Sequence, residues 1–219
     1  MIEIVPTVVP NTFEDIVRVA DAYKGFASMI HVDVADGVFA PNKTWLPELG
    51  DRLPNGMHYE AHLMVNNPHE AGIAFLKAGA ESLIGHAEAF TDANDAVRTF
   101  EAWREEGARL VQTGVLFQTE LGTLEPLIPL SDFTLLMCIA SIGVQGIPFE
   151  EKSIDRIRSF RGMYPNARIN VDGGVSEKNI DALAASGATR FCVGSALSKA
   201  ENPEAAYHTL FERAEAVAL

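Results

Sequence analysis

The chain has 219 residues, 47% of them hydrophobic and 21% charged, which is typical of a globular protein with one sizeable core. The 30 acidic residues outnumber the 17 Lys and Arg residues and give a net charge of −13, which disfavours nucleic acid and anionic membranes as partners. No apolar run approaches the ~20 residues that a membrane span requires, and the first residues lack the basic segment of a signal peptide. We therefore expect a cytoplasmic protein in which Cys138 and Cys192 are reduced, buried thiols.

Short stretches rich in β-forming residues alternate along the chain with amphipathic helical stretches. The predicted strands are residues 2–8, 28–34, 58–64, 82–87, 109–116, 133–140, 167–173 and 190–196. Between them, apolar residues recur at three- and four-residue steps, as at Phe13, Ile16, Val17 and Ala20. This alternation predicts repeated βα units.

Helix boundaries are marked by residues that favour the ends of helices. Asn67-Pro68 and Ser176-Glu177 are predicted helix starts, and Gly79, Gly107 and Gly187 are predicted helix ends. Eight βα units predict a single-domain α/β protein over residues 1–219, a (β/α)8 TIM barrel. The alternative is an open doubly wound sheet, which usually has fewer strands and a glycine-rich loop after the first. The loop here, VPNT, contains no glycine.

Titratable residues cluster at the ends of predicted strands, where a barrel carries its site. Strand alternation places His31 and Asp33 on one face of the second strand, and Glu60 and His62 on one face of the third. Asp172 ends the seventh strand. A single polar residue at a strand end is more often a structural hydrogen-bonding group, but two His and two Asp together suit a divalent transition metal.

Two glutamates near these strand ends allow two interpretations. Glu60 and Glu88 either orient a histidine from behind or face a helix or the solvent.

Glycines follow the last three predicted strands. Gly143 and Gly146 follow the sixth strand, Gly173 and Gly174 the seventh, and Gly194-Ser195 the eighth. Loops after strands seven and eight form the usual phosphate site of a barrel, in which backbone N–H groups hold the anion without Lys or Arg. Each glycine is also compatible with an ordinary tight turn. Gly146 is the one glycine of this set for which we favour the tight turn.

Taken together, these motifs resemble the ribulose-phosphate 3-epimerase family over nearly the whole chain. The matching stretches are VPTVVP, HVDVADGVFAPN, AHLMVNNP, GHAEA, LLMCIASIGVQGIPF, NVDGGVSEKNI and FCVGSAL. The resemblance implies a barrel of the ribulose-phosphate-binding type, usually a homo-oligomer. It also implies an isomerase that interconverts D-ribulose 5-phosphate and D-xylulose 5-phosphate, a phosphorylated ketose pair of the pentose phosphate pathway.

The resemblance assigns roles to individual residues. It implies that His31, Asp33, His62 and Asp172 bind one divalent ion, which could be Zn, Fe, Mn or Co. It implies that Asp33 and Asp172 are the paired acid and base on opposite faces of a metal-stabilised enediolate. The implied substrate-binding residues are Thr7, His62, Met64, Met137, Gly143, Gly146, Gly173, Gly174, Gly194 and Ser195.

Three departures from the family pattern affect substrate binding. Thr7 stands where the family usually has Ser, and Ala35 stands where it has Met, so we expect a roomier metal pocket. The loop at 141–149 reads SIGVQGIPF instead of the usual PGFGGQ, with Gln145 and Ile147 as replacements. These changes leave open a 3-epimerase of a ketohexose 6-phosphate such as allulose 6-phosphate.

Two other classes are less favoured. An aldolase or decarboxylase of the related barrels would need a lysine at a strand end, and no predicted strand contains one. A non-catalytic sugar-phosphate-binding barrel would not need all four implied ligands.

Overall fold

Eight parallel strands close into a barrel in a computed structural model that describes residues 1–144 and 146–218. Each strand pairs with its neighbours in the chain, and the eighth pairs with the first. The strands are β1 Glu3–Val8, β2 Met29–Ala35, β3 His58–Met64, β4 Ser82–His86, β5 Leu110–Val115, β6 Phe133–Met137, β7 Ile169–Asp172 and β8 Arg190–Val193. All eight predicted strands are confirmed, and closure excludes the open doubly wound sheet.

Seven α-helices surround the described part of this barrel. They are α1 Phe13–Tyr23, α2 Pro68–Ala78, α3 Ala93–Glu105, α4 Lys152–Met163, α5 Ile180–Ala185, α6 Ser195–Ser198 and α7 Pro203–Val217. None of them is long and apolar enough to cross a membrane.

Two of the expected βα units contain no α-helix in the described structure. Residues 36–57, after β2, form a loop with one isolated bridge between Asp36 and Lys43. After β5, the chain forms only the short 3-10 turns Leu121–Leu124 and Ile128–Leu130. Prolines and glycines interrupt both segments, and each removes a helical hydrogen bond or adds backbone entropy.

The predicted helix boundaries are largely confirmed. Gly79, Gly107 and Gly187 follow α2, α3 and α5 with φ near +107°, +113° and +106°, the left-handed conformation that glycine supplies at helix ends. The start predicted at Ser176-Glu177 is wrong, because α5 begins at Ile180. The Asn179 carboxamide accepts the Ser176 N–H at 2.9 Å and stabilises a turn before the helix.

Strand alternation separates an apolar outer face from a polar interior. Val32 and Val34 are fully buried in one cluster with Ile16 and Phe75 from the surrounding helices. The intervening residues of β2 point into the barrel. The interior therefore receives polar side chains from several strands, and those nearest the carboxyl ends of the strands form the candidate site.

Candidate active site

Four side chains meet at the carboxyl ends of the strands. His31 and Asp33 come from β2, His62 from β3 and Asp172 from β7, and one ligand-capable atom of each lies within 4.8 Å of all the others. Asp33 Oδ1 lies 3.0 Å from His62 Nδ1 and 3.4 Å from His31 Nε2. Asp172 Oδ2 lies 3.6 Å from His62 Nδ1. The structure thus brings together all four residues expected from the sequence, and we refer to them as the upper cluster.

The two aspartates of the upper cluster differ in their electrostatic surroundings. Burial raises the pKa of both carboxyls, but the His31 and His62 imidazoles outweigh burial at Asp33 and hold its pKa below the usual range. At Asp172, burial and the neighbouring Asp33 carboxylate raise the pKa to about 6. In mildly acidic solution the pair can therefore hold one ionised and one protonated carboxyl, the arrangement that acid–base pairs use.

The donor set of the upper cluster fits a divalent cation. His31 Nε2 is buried, has no hydrogen-bond partner in the described structure and lies beside Asp33 Oδ1. Two imidazoles and two carboxylates are ligands that transition metals accept. No lysine or arginine is among the described residues that line the cavity above the cluster, so no cationic side chain there balances its carboxylates.

His31 is supported from below by a buried hydrogen-bond network. Its Nδ1 lies 2.8 Å from Glu60 Oε1, so Glu60 orients a histidine and does not face a helix or the solvent. We call the residues beneath His31 the lower network; they are Glu60, Ser82, Gln112, Asn170 and Arg190. Burial raises the pKa of the Glu60 carboxyl, but Arg190 and His31 outweigh it and lower the pKa to about 2.

His62 has a different support, which sequence reasoning missed. Its Nε2 lies 2.7 Å from Nε2 of His86, a fully buried residue at the end of β4. His86 Nδ1 lies 3.4 Å from Glu88 Oε2, and Glu88 also accepts the Leu116 N–H at 2.8 Å. Glu88 therefore also faces a histidine. The GHAEA stretch places His86 and Glu88 two residues apart, but nothing in the sequence indicates that His86 reaches His62.

The apolar wall of the cavity contains three of the expected residues. Thr7, Met64 and Met137 line it above the upper cluster. Ala35 is 1% exposed, does not line the cavity and lies in one apolar cluster with Met64, Met137 and Ile139. The roomier metal pocket expected from Ala35 stays a prediction.

The loops after β6, β7 and β8 form the other side of the same cavity. All six predicted phosphate-site residues line it, namely Gly143, Gly146, Gly173, Gly174, Gly194 and Ser195. Gly174 has φ +69°, and a Cβ there would lie 3.0 Å from Phe149 Cα, so only glycine lets these two loops pass so closely. The Gln145 replacement lies outside the described residues.

Comparison with known proteins identifies the family. The model of the ribulose-phosphate 3 epimerase family matches residues 3–198. The chain is 33% identical over 190 residues to the ribulose-phosphate 3-epimerase of Aquifex aeolicus, covering 83% of this chain and 82% of that protein. It is 30% identical over 222 aligned positions to the enzyme of that name from Mycobacterium tuberculosis, covering 99% and 94%.

Among solved structures, 3-hexulose-6-phosphate synthase from Salmonella typhimurium has the same fold. The TM-score is 0.73 at 16% identity, with 98% of this chain and 99% of that chain covered. The family model matches nearly the whole chain and both curated relatives carry the name of that family, and the chain therefore belongs to the ribulose-phosphate 3-epimerase family of isomerases.

Proposed function

We propose that this chain is a metal-dependent 3-epimerase that interconverts D-ribulose 5-phosphate and D-xylulose 5-phosphate, with residues 1–219 acting as one catalytic domain. The observation that carries the proposal is the upper cluster, in which two carboxylates that line one cavity meet two buried histidines within 4.8 Å. The names of the relatives support a pentose phosphate over a hexose phosphate.

His31, Asp33, His62 and Asp172 would hold the cation. The unpaired Nε2 of His31 and the carboxylate oxygens of both aspartates support this assignment. When bound, a divalent ion supplies Lewis-acid stabilisation of the negative charge that develops on the substrate oxygens.

The two aspartates would move the proton at C3. Removal of that proton, which lies next to the C2 carbonyl, gives a planar intermediate, and inversion requires the second carboxyl to donate its own proton to the opposite face. Asp33 on β2 and Asp172 on β7 approach the cavity from different sides of the barrel. Asp33 would be the carboxylate base in one direction, and Asp172 would be the acid. The reverse reaction exchanges these roles.

The backbone would hold the phosphate. The loops with Gly173, Gly174, Gly194 and Ser195 line the same cavity, and backbone N–H groups in such loops bind phosphate in other barrels. A protein with net charge −13 repels a free anion, so local N–H dipoles are the groups that can retain it. Thr7, Met64 and Met137 would shape the wall against the sugar.

Solvent exchange at C3 tests this proposal. The purified protein, loaded separately with Zn²⁺, Mn²⁺, Fe²⁺ or Co²⁺, is incubated with ribulose 5-phosphate in deuterated water, and mass spectrometry or NMR follows deuterium at C3 of the xylulose 5-phosphate that forms. We expect exchange that depends on metal. Faster turnover of allulose 6-phosphate would assign a hexose substrate, and a lack of exchange with both sugars would contradict an epimerase.

A further inference from the structure

A buried arginine lies beneath the candidate metal site. Arg190, the first residue of β8, is 1% exposed, although its strand otherwise consists of Phe, Cys and Val. Its Nη2 lies 2.9 Å from Glu60 Oε2, and Glu60 is fully buried. Burying two charges carries a large desolvation cost, and exchange for apolar side chains is often neutral or stabilising. The stability of the fold alone therefore does not account for this buried ion pair between Arg190 and Glu60.

The contacts of Glu60 are divided between its two carboxylate oxygens. Oε2 is held by Arg190, by the Ser82 hydroxyl at 2.9 Å and by the Gln112 carboxamide. Oε1 is left to face His31 Nδ1 at 2.8 Å. Because three donors converge on one oxygen, the carboxylate has a fixed orientation, and that orientation determines which acceptor His31 meets.

The second neighbour of His31 Nδ1 is a weaker acceptor. The Cys192 sulfur lies 3.3 Å away, and sulfur accepts hydrogen bonds more weakly than a carboxylate oxygen. Glu60 is thus the acceptor that sets the His31 tautomer. With the proton on Nδ1, the lone pair of Nε2 points towards Asp33, and the opposite tautomer would direct an N–H there instead.

We propose that Arg190 is a positioning residue for metal binding: it anchors Glu60, Glu60 accepts the Nδ1–H of His31, and the Nε2 of His31 is thereby aimed into the upper cluster. The inference rests on the proposed function, since it takes His31 as a ligand. It adds a residue on the far side of the barrel interior to those that determine metal affinity. Acceptors behind a metal-bound histidine typically change affinity 10–100-fold when removed.

A purely structural role for Arg190 makes a different prediction. Its Nη1 also pairs with Glu3 Oε2 at 3.0 Å, near the partly exposed end of the barrel. If Arg190 only stabilises the fold, Arg190→Met lowers the melting temperature and leaves the metal affinity of the folded protein unchanged. The control Glu3→Gln breaks the second pair of the same arginine and leaves the contact with Glu60 in place.

The test measures the Kd for Zn²⁺ by competition with a chromophoric chelator, at a temperature where circular dichroism shows every variant to be folded. We expect Arg190→Met to weaken Zn²⁺ binding by about 10–100-fold and Glu3→Gln by less than about threefold. Equal affinities for Arg190→Met and the unmodified protein would overturn the inference. If the unmodified protein binds no Zn²⁺, the proposed function fails instead, so the two failures are distinguishable.

A second measurement covers the case in which Arg190→Met does not fold. Arg190→Lys keeps one positive charge but lacks the planar fork that reaches Glu60 and Glu3 together. In the Zn²⁺-loaded unmodified protein, we expect NMR of the His31 ring to show a proton on Nδ1 that exchanges slowly with water. Arg190→Lys should accelerate that exchange and weaken Zn²⁺ binding, whereas unchanged exchange and affinity would contradict the positioning role.

Discussion

The upper cluster and the lower network are both buried, polar and built from residues of several strands, but their charges are balanced differently. In the lower network, the Glu60 carboxylate meets the Arg190 guanidinium and two further donors. In the upper cluster, two carboxylates face two imidazoles, and no Lys or Arg is found among the described residues that line the cavity. The comparison indicates that the carboxylate of the lower network is balanced by a guanidinium, whereas the upper cluster is suited to accept a cation.

Removing one carboxylate of the upper cluster should have the largest effect. Asp172→Asn keeps an oxygen near the other ligands but cannot exchange a proton, so we expect kcat to fall by about 10²–10⁴-fold while the fold is retained. A coupled assay for xylulose 5-phosphate measures the loss. Asp155→Asn, at a side chain that is 82% exposed on α4, is the control and should keep full activity. Activity of Asp172→Asn within threefold of the unmodified protein would remove Asp172 from the mechanism.

Breaking the lower network should affect stability more than proton transfer. Arg190→Met leaves the Glu60 carboxylate buried without its cation, which typically lowers the free energy of unfolding by about 3–5 kcal/mol. Urea unfolding of the metal-free protein measures the change. The matched variant Arg158→Met removes an exposed pair with Asp155 and should cost less than about 1 kcal/mol. Similar losses for both variants would mean that the lower network is not the balanced core that the comparison describes.

The phosphate side of the cavity should respond to a single methyl group. Gly174→Ala places a Cβ at φ +69° and about 3.0 Å from Phe149 Cα, so the two loops must separate. We expect strain of about 1–3 kcal/mol and a rise in KM that exceeds the fall in kcat. Gly25→Ala, where a Cβ meets nothing within 4 Å, is the control. If KM is unchanged in steady-state kinetics, the loop after β7 does not hold the phosphate.

The turn after β2 should show a pH-dependent contribution from Asp36. Its Oδ2 accepts the Asn66 N–H at 2.7 Å, and its Oδ1 accepts the Val38 and Phe39 N–H groups at 2.8 and 2.9 Å. Burial raises the pKa of this carboxyl, but these N–H groups outweigh burial and lower it. A lowered pKa means that the stabilisation is present above about pH 4, the range of an unfolded aspartate, and is lost as the pH falls through the folded pKa.

Asp36→Asn tests that contribution. At pH 7 we expect the variant to lose about 1–2 kcal/mol in urea unfolding, because a carboxamide N–H faces a backbone N–H. The difference from the unmodified protein should shrink as the pH falls below about 4. A difference that stays constant over this range would contradict the role of the charged form.

The sequence predicted those features that follow from strand alternation and closure. His31, Asp33, His62 and Asp172 end strands that must share one face of a closed barrel, so their meeting was predictable. Contacts that depend on how far a side chain extends from its strand were not predictable. His86 on β4 contacts His62 on the neighbouring strand β3, and Arg190 on β8 contacts Glu60 on β3 across the barrel interior. Both contacts require the two side chains to lie at the same level along the barrel axis. The described segments after β2 and β5 form no α-helix because prolines and glycines interrupt them. The repeated βα pattern of the rest of the chain nevertheless favoured a helix in each of these units.

The central claim is that Asp33 and Asp172 act on opposite faces of one planar intermediate, and exchange without epimerisation tests it most directly. Asp33→Asn and Asp172→Asn, each saturated with Zn²⁺, are incubated in deuterated water with ribulose 5-phosphate and, separately, with xylulose 5-phosphate. We predict that each variant exchanges the C3 hydrogen of one epimer only, that the two variants select opposite epimers, and that either variant interconverts the sugars about 10²–10⁴-fold more slowly than the unmodified protein. Exchange of the same epimer by both variants, or full epimerisation by either, would contradict the account.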